Sequence, residues 1–134
     1  MMSTTMTDKQ SPILGLGTDI IEIDRIRQSI EAHKERFLAK LFTLSEQEYC
    51  LKHQEAAVHF AGRFAAKEAI AKALGTGFGE HLSWQDIEIL NGEHGRPDVV
   101  FSEQAKARFG HPRILVSISH CHHYATATAI WVEN

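Results

Sequence analysis

The chain has 134 residues and a formal charge of −3, with 43% hydrophobic and 23% charged residues. This is the size and composition of one globular domain, small for enclosing a deep cleft by itself. The slight acidity excludes a global basic field of the kind that binds nucleic acid, so any anion-binding surface has to be local. Two cysteines, Cys50 and Cys121, are too few for a secreted disulfide scaffold and point to a reducing compartment. Residues 1–12 are polar and lack the apolar stretch of a signal peptide, and no apolar run approaches the ~20 residues of a membrane span. The expectation is a soluble, cytoplasmic protein with no nucleic-acid or membrane partner. It has a flexible tail over residues 1–12 and a single domain over residues 13–134.

Residues 13–18 (ILGLGT) read as a short buried strand whose glycines mark close backbone approach, with Asp19 at or near its end. From Ile23 to about Leu41 the period becomes helical, with Ile23, Ile26 and Ile30 at spacings of three and four. Ser45-Glu46-Gln47-Glu48 reads as a capping box that opens a short helix to about His53. The Ala-rich run over residues 56–74 is the strongest helix, stopped by Gly75 and Gly77. Residues 84–90 alternate as a strand, turn at Asn91-Gly92 and return over Asp98 to Phe101, which makes a hairpin. Ser102 caps a helix ending near Gly110, and residues 113–119 and 124–132 are two further β-segments. The sum is an α+β domain, a small antiparallel sheet packed with a long central helix and shorter helices.

On the long helix, Phe60, Phe64, Glu68 and Lys72 stand four apart and share one stripe. A solvated Glu68–Lys72 pair worth a few tenths of a kcal/mol is the plain reading, but two aromatics on the same stripe turn it toward the protein. Asp19 alone is an ordinary turn residue; beside Glu68 it completes a pair of carboxylates from different elements. Magnesium takes one or two protein carboxylates and fills its octahedron with water and substrate phosphate, so such a pair points to phosphate chemistry. Ser117 and Ser119 share one face of their strand, with His120 just beyond it. The run His120-Cys121-His122-His123 raises zinc, but its ligands are too close together for most structural zinc sites. The loop from Asn91 to Pro97 is explained by turn chemistry alone, although Arg96 there could touch a phosphate. The basic residues from Arg25 to Arg36 read, taken alone, as a solvated helix face.

Four motifs in order carry more than any one of them. They are Gly15-x-Gly17-Thr18-Asp19-Ile20 followed by Arg25; Arg63-Phe64-Ala65-Ala66-Lys67-Glu68-Ala69-x-x-Lys72-Ala73; Gly95-Arg96-Pro97; and Ser117-Ile118-Ser119-His120. Together they resemble the holo-[acyl-carrier-protein] synthase family, the short, trimeric branch of the 4′-phosphopantetheinyl transferases, over about Ile13 to Val132. The resemblance implies that 4′-phosphopantetheine moves from coenzyme A to a serine of apo acyl carrier protein, releasing adenosine 3′,5′-bisphosphate, in fatty acid biosynthesis. It implies Asp19, Glu68 and Lys72 as the catalytic set, with Asp19 and Glu68 holding Mg²⁺ and Lys72 approaching the phosphates. Glu68 would accept the serine proton, directly or through a water. His120 falls near the 3′-phosphate end of coenzyme A. Arg63, Gly95, Arg96 and Pro97 fall on the coenzyme surface, and Arg25 and Arg36 on the helix that docks the acidic carrier protein. The family's site lies between neighbours of a homotrimer. Cys121 departs from the pattern, which has a small hydroxyl residue or Asp there. The alternative is a non-catalytic module that binds coenzyme A and carrier protein; the joint presence of Asp19, Glu68 and Lys72 argues for the enzyme.

Overall fold

The computed structural model describes residues 12–134, so the expected tail lies, apart from Pro12, outside the described residues. In chain order the elements are β1 (Ile13–Glu22), α1 (Ile23–Leu41), α2 (Leu44–Leu51), α3 (Ala56–Leu74), β2 (Ile87–Asn91), β3 (Pro97–Phe101), α4 (Glu103–Phe109), β4 (Arg113–His120) and β5 (Tyr124–Val132). Short 3₁₀ turns at Trp84–Asp86 and Glu93–Gly95 flank β2. β1, β5 and β4 form an antiparallel sheet in that order, and β2 and β3 form a separate hairpin. This is the α+β arrangement of a small antiparallel sheet on a long central helix.

The composition of α3 follows from its place. It is buried along most of its length, with the sheet on one side and α1, α2 and the hairpin around it. Ala65, Ala66, Ala69 and Ala73 are buried on the helix, and Ala125, Ala127 and Ala129 are buried on β5, so small side chains let helix and sheet approach closely. β1 approaches closest. A Cβ added at Gly17 would stand 1.9 Å from the carbonyl oxygen of Ala69, and one at Gly15 would stand 1.9 Å from that of Ala73. The glycines therefore seat the strand on the backbone of α3. Gly17→Ala pits a methyl against a backbone oxygen that cannot rotate away, and is expected to cost about 3 kcal/mol or more. Urea unfolding checks this; a midpoint equal to that of the wild type would contradict the packing.

Three local expectations are corrected. β1 does not end near Asp19 but runs to Glu22, because Asp19 to Glu22 stay in register with Ala127 to Tyr124 of β5. The cap of α2 is Thr43, not Ser45: the Thr43 hydroxyl accepts from the Glu46 amide and the Glu46 carboxylate accepts from the Thr43 amide. The same capping pattern is present two residues earlier, and it wins because it puts Glu46 in the interior. Residues 84–86 form a 3₁₀ turn closed by Ser83 and Asp86, so β2 begins only at Ile87. The remaining boundaries hold to within two residues. Gly75 ends α3 with φ 86°, and Ser102 caps α4 through the Ala105 amide.

Candidate active site

The stripe predicted on α3 grades from interior to surface. Phe60 is fully buried, Phe64 and Glu68 are half-buried, and Lys72 reaches solvent. β1 crosses this end of the helix on Gly15 and Gly17 and brings Asp19 to it. The Lys72 ammonium donates to the Thr18 carbonyl at 2.9 Å and to the Asp19 carboxylate at 3.2 Å. The Asp19 side chain keeps only 18% of its exposure, against 51% for Lys72. Burial and then the Asp19 charge push the Glu68 carboxyl above its ordinary range, with Lys72 opposing them. Two carboxylates are thus held close enough to repel, with one cation beside them. Both are hard oxygen donors, and a divalent cation that completes its shell with other oxygens fits such a pair. Among the described residues no three or more His, Cys, Asp or Glu side chains converge as a metal site would need.

Beneath the site lies a buried ion pair that sequence reading did not find. Lys67, next to Glu68, is fully buried and sits 2.7 Å from the carboxylate of Glu46, also fully buried. All three ammonium protons are used: the others go to the carbonyls of Leu41 at 2.8 Å and Trp84 at 3.1 Å. Glu46 in turn accepts from the amides of Thr43 at 2.8 Å and Ile89 at 2.6 Å. The pair ties α1, α2, α3 and the hairpin to one point. It fixes the turn of α3 that carries Glu68. Lys67 follows Ala66 and shares a face with Ile70 and Ala71 one turn on, all buried, and a lysine on such an apolar face is the signal that could have found it.

The other expected site residues are dispersed. Arg63 is buried; its guanidinium lies 4.5 Å from the centre of the Tyr49 ring and donates to Asn91 at 3.1 Å, which anchors α3 to the end of β2. Its Nε has no hydrogen-bond partner among the described residues. His120 is the last residue of β4, exposed, and shares a groove with Cys121, His122 and His123 and with Asp24, Arg27 and Glu55. Arg96 and Pro97 line a different groove, against Arg113 to Val116 of β4. β1 and β4 are opposite edges of the sheet, two strand spacings or roughly 9–10 Å apart. One subunit therefore does not gather Asp19, Glu68 and Lys72 with His120 or with Gly95 to Pro97. Arg25 and Arg36 are exposed on α1, which kinks between them at His33, and neither has an ion pair among the described residues. Arg27, by contrast, is held by Asp24 and Glu55.

A family model, the 4′-phosphopantetheinyl transferase superfamily, matches residues 15–129. The holo-[acyl-carrier-protein] synthase of Protochlamydia amoebophila is 56% identical over 118 residues, which cover 88% of this chain and 97% of that protein. Among solved structures, holo-[acyl-carrier-protein] synthase from Neisseria meningitidis aligns with a TM-score of 0.83 at 28% identity, over 90% of this chain and 99% of that one. The Helicobacter pylori synthase, solved in complex with coenzyme A, aligns with a TM-score of 0.79 at 33% identity, over 87% of this chain and 98% of that one. The chain belongs to the 4′-phosphopantetheinyl transferase superfamily. Within it, the shared sequence, fold and order of motifs put the chain in the holo-[acyl-carrier-protein] synthase family.

Proposed function

We propose that the chain transfers 4′-phosphopantetheine from coenzyme A to a serine of apo acyl carrier protein and releases adenosine 3′,5′-bisphosphate. The observation that carries this reading is the convergence of Asp19, Glu68 and Lys72 on the glycine-seated crossing of β1 and α3. Asp19 and Glu68 would hold Mg²⁺, and their oxygen-only donor set fits that ion. The bound ion supplies charge neutralisation at the coenzyme diphosphate. Lys72 adds a positive charge beside the same phosphates and keeps Asp19 in place. Glu68, or a water held beside it, would accept the proton of the attacking serine. The serine oxygen bonds to the β-phosphorus as the bond to the leaving bisphosphate breaks. Transfers of this kind depend mainly on position and charge, which these three side chains supply. Chromatographic detection of adenosine 3′,5′-bisphosphate, released only when coenzyme A, apo carrier protein and Mg²⁺ are all present, tests the reaction.

The site is completed by neighbours in a homotrimer. Leu14, Leu16, Ile20 and Leu115, on the sheet face turned away from α3, are 52%, 65%, 64% and 52% exposed. A patch of that kind on a sheet is a contact surface. The dispersal of His120 and of Gly95 to Pro97 to the far side of the sheet has the same explanation, since a neighbour's copies would close over Asp19 and Glu68. Light scattering should find a trimer, and a fully active monomer would contradict it. None of the helices among the described residues is long and apolar enough to cross a membrane. The transfer would serve fatty acid biosynthesis in the cytoplasm.

Arg25 and Arg36 form the local positive surface for an acidic carrier protein. Arg25→Glu is expected to raise KM for the carrier roughly tenfold, with the effect fading in salt, and to leave KM for coenzyme A nearly unchanged. Steady-state kinetics with each substrate varied in turn checks this. Equal effects on both substrates would remove the docking role.

A further inference from the structure

Asp19 sits on an edge strand. Among the described residues β1 pairs with β5 alone, so its backbone is held by a strand on one side and by none on the other. Gly15 and Gly17 seat β1 on α3, and Asp19 is the next residue on the same face. The direction of its carboxylate then depends on what holds the two peptide groups around its Cα. The carbonyl before the Cα, that of Thr18, accepts from the Lys72 ammonium at 2.9 Å. The carbonyl after it, that of Asp19 itself, accepts from the Thr126 hydroxyl at 2.9 Å. Both peptide groups are thus gripped by side chains from other elements.

Thr126 grips from behind. On β5, Ala125, Ala127 and Ala129 are buried toward α3, so Thr126 between them lies on the other face of the sheet. The Asp19 carboxylate is on the α3 side, where it meets Lys72. The hydroxyl therefore restrains the backbone from one face and leaves the carboxylate on the other face open to a ligand. Thr126 stands opposite Ile20 in the register and is half-buried, so water competes less for the bond. The strand itself does not ask for a hydroxyl here, since valine has the same shape and suits a strand as well. A small octahedral ion, by contrast, tolerates little misplacement of a ligand. We propose that Thr126 is a positioning residue for the divalent cation, holding the Asp19 peptide so that its carboxylate meets the ion at the right angle. This inference rests on the metal reading above. Thr126 acts through Asp19 and is given no contact with the cation or the coenzyme.

Mn²⁺ takes the same oxygen donors as Mg²⁺ and serves as the probe. Electron paramagnetic resonance counts the free ion as the full chain is titrated without coenzyme. Thr126→Val keeps the shape and loses the hydroxyl, and should weaken Mn²⁺ binding roughly fivefold. Thr126→Ser keeps the hydroxyl and should stay within about twofold of the wild type. In the transfer assay, the Mg²⁺ concentration for half-maximal rate should rise by a similar factor in Thr126→Val. There kcat at saturating Mg²⁺ and KM for the carrier should stay within about twofold of the wild type. A role in sheet stability alone would move the unfolding midpoint and would not separate valine from serine in Mn²⁺ affinity. Equal Mn²⁺ affinity in wild type and Thr126→Val, or a loss in serine as large as in valine, would overturn the positioning role and leave the metal reading in place. A wild-type chain that takes up no Mn²⁺, or uptake that survives Asp19→Ala, would overturn the metal reading, and this inference with it.

Discussion

Glu68→Gln is expected to lower the transfer rate by roughly a thousandfold, about 4 kcal/mol of transition-state stabilisation, with little change in thermal stability. The substitution keeps the shape and half-burial of the side chain but removes the negative charge that faces Asp19. On the proposed reading, a cation held by the two would lose half its ligand charge. The fold should tolerate the change, because burial and Asp19 already push the Glu68 carboxyl toward its neutral form. Loss of the charge relieves a repulsion. Asp19→Ala should be comparably inactive and should also release the Lys72 ammonium, which now rests 3.2 Å from the carboxylate. Either variant turning over at near-wild-type rate would remove the carboxylate pair from the mechanism.

The second large effect falls on stability. Lys67→Met strands the Glu46 carboxylate in the interior with only the Thr43 and Ile89 amides to balance it. Breaking a buried pair by removing one partner costs about 3–5 kcal/mol, a large share of the ~5–15 kcal/mol that holds a domain together. Adding Glu46→Gln should recover part of the loss, because no charge then remains buried, although the new amide meets the Ile89 N–H with a donor on one side. The double-mutant cycle, measured by denaturant unfolding at one protein concentration, reads the coupling directly. A single Lys67→Met variant within ~1 kcal/mol of the wild type would show that the pair carries little, against the burial seen here.

What could be seen in the sequence was local. The stripe Phe60, Phe64, Glu68, Lys72 follows from helical period alone, and the glycines of β1 announced a close approach before the helix they touch was known. Asp19 and Glu68 could be joined because one followed a patterned apolar run and the other stood on the stripe of a strongly patterned helix. What stayed hidden depends on contacts far apart in the chain. Glu46 read as the interior of a capping box because nothing near it in sequence says that Lys67, one helix later, will reach it. Phe78 and Trp84 looked like loop and strand residues, since the stacking that joins them to Phe64 is set by the turn through Gly75, Gly77 and Gly79. The separation of His120 and of Gly95 to Pro97 from the carboxylate pair follows from the strand order β1-β5-β4, which no local pattern encodes.

The most direct measurement is intact mass spectrometry of apo acyl carrier protein incubated with the chain, coenzyme A and Mg²⁺, beside the same mixture with a chelator. The account predicts a gain of one phosphopantetheine on the carrier, lost with the chelator and lost again when the carrier's acceptor serine is replaced by alanine. A folded wild-type chain that leaves the carrier mass unchanged would contradict it.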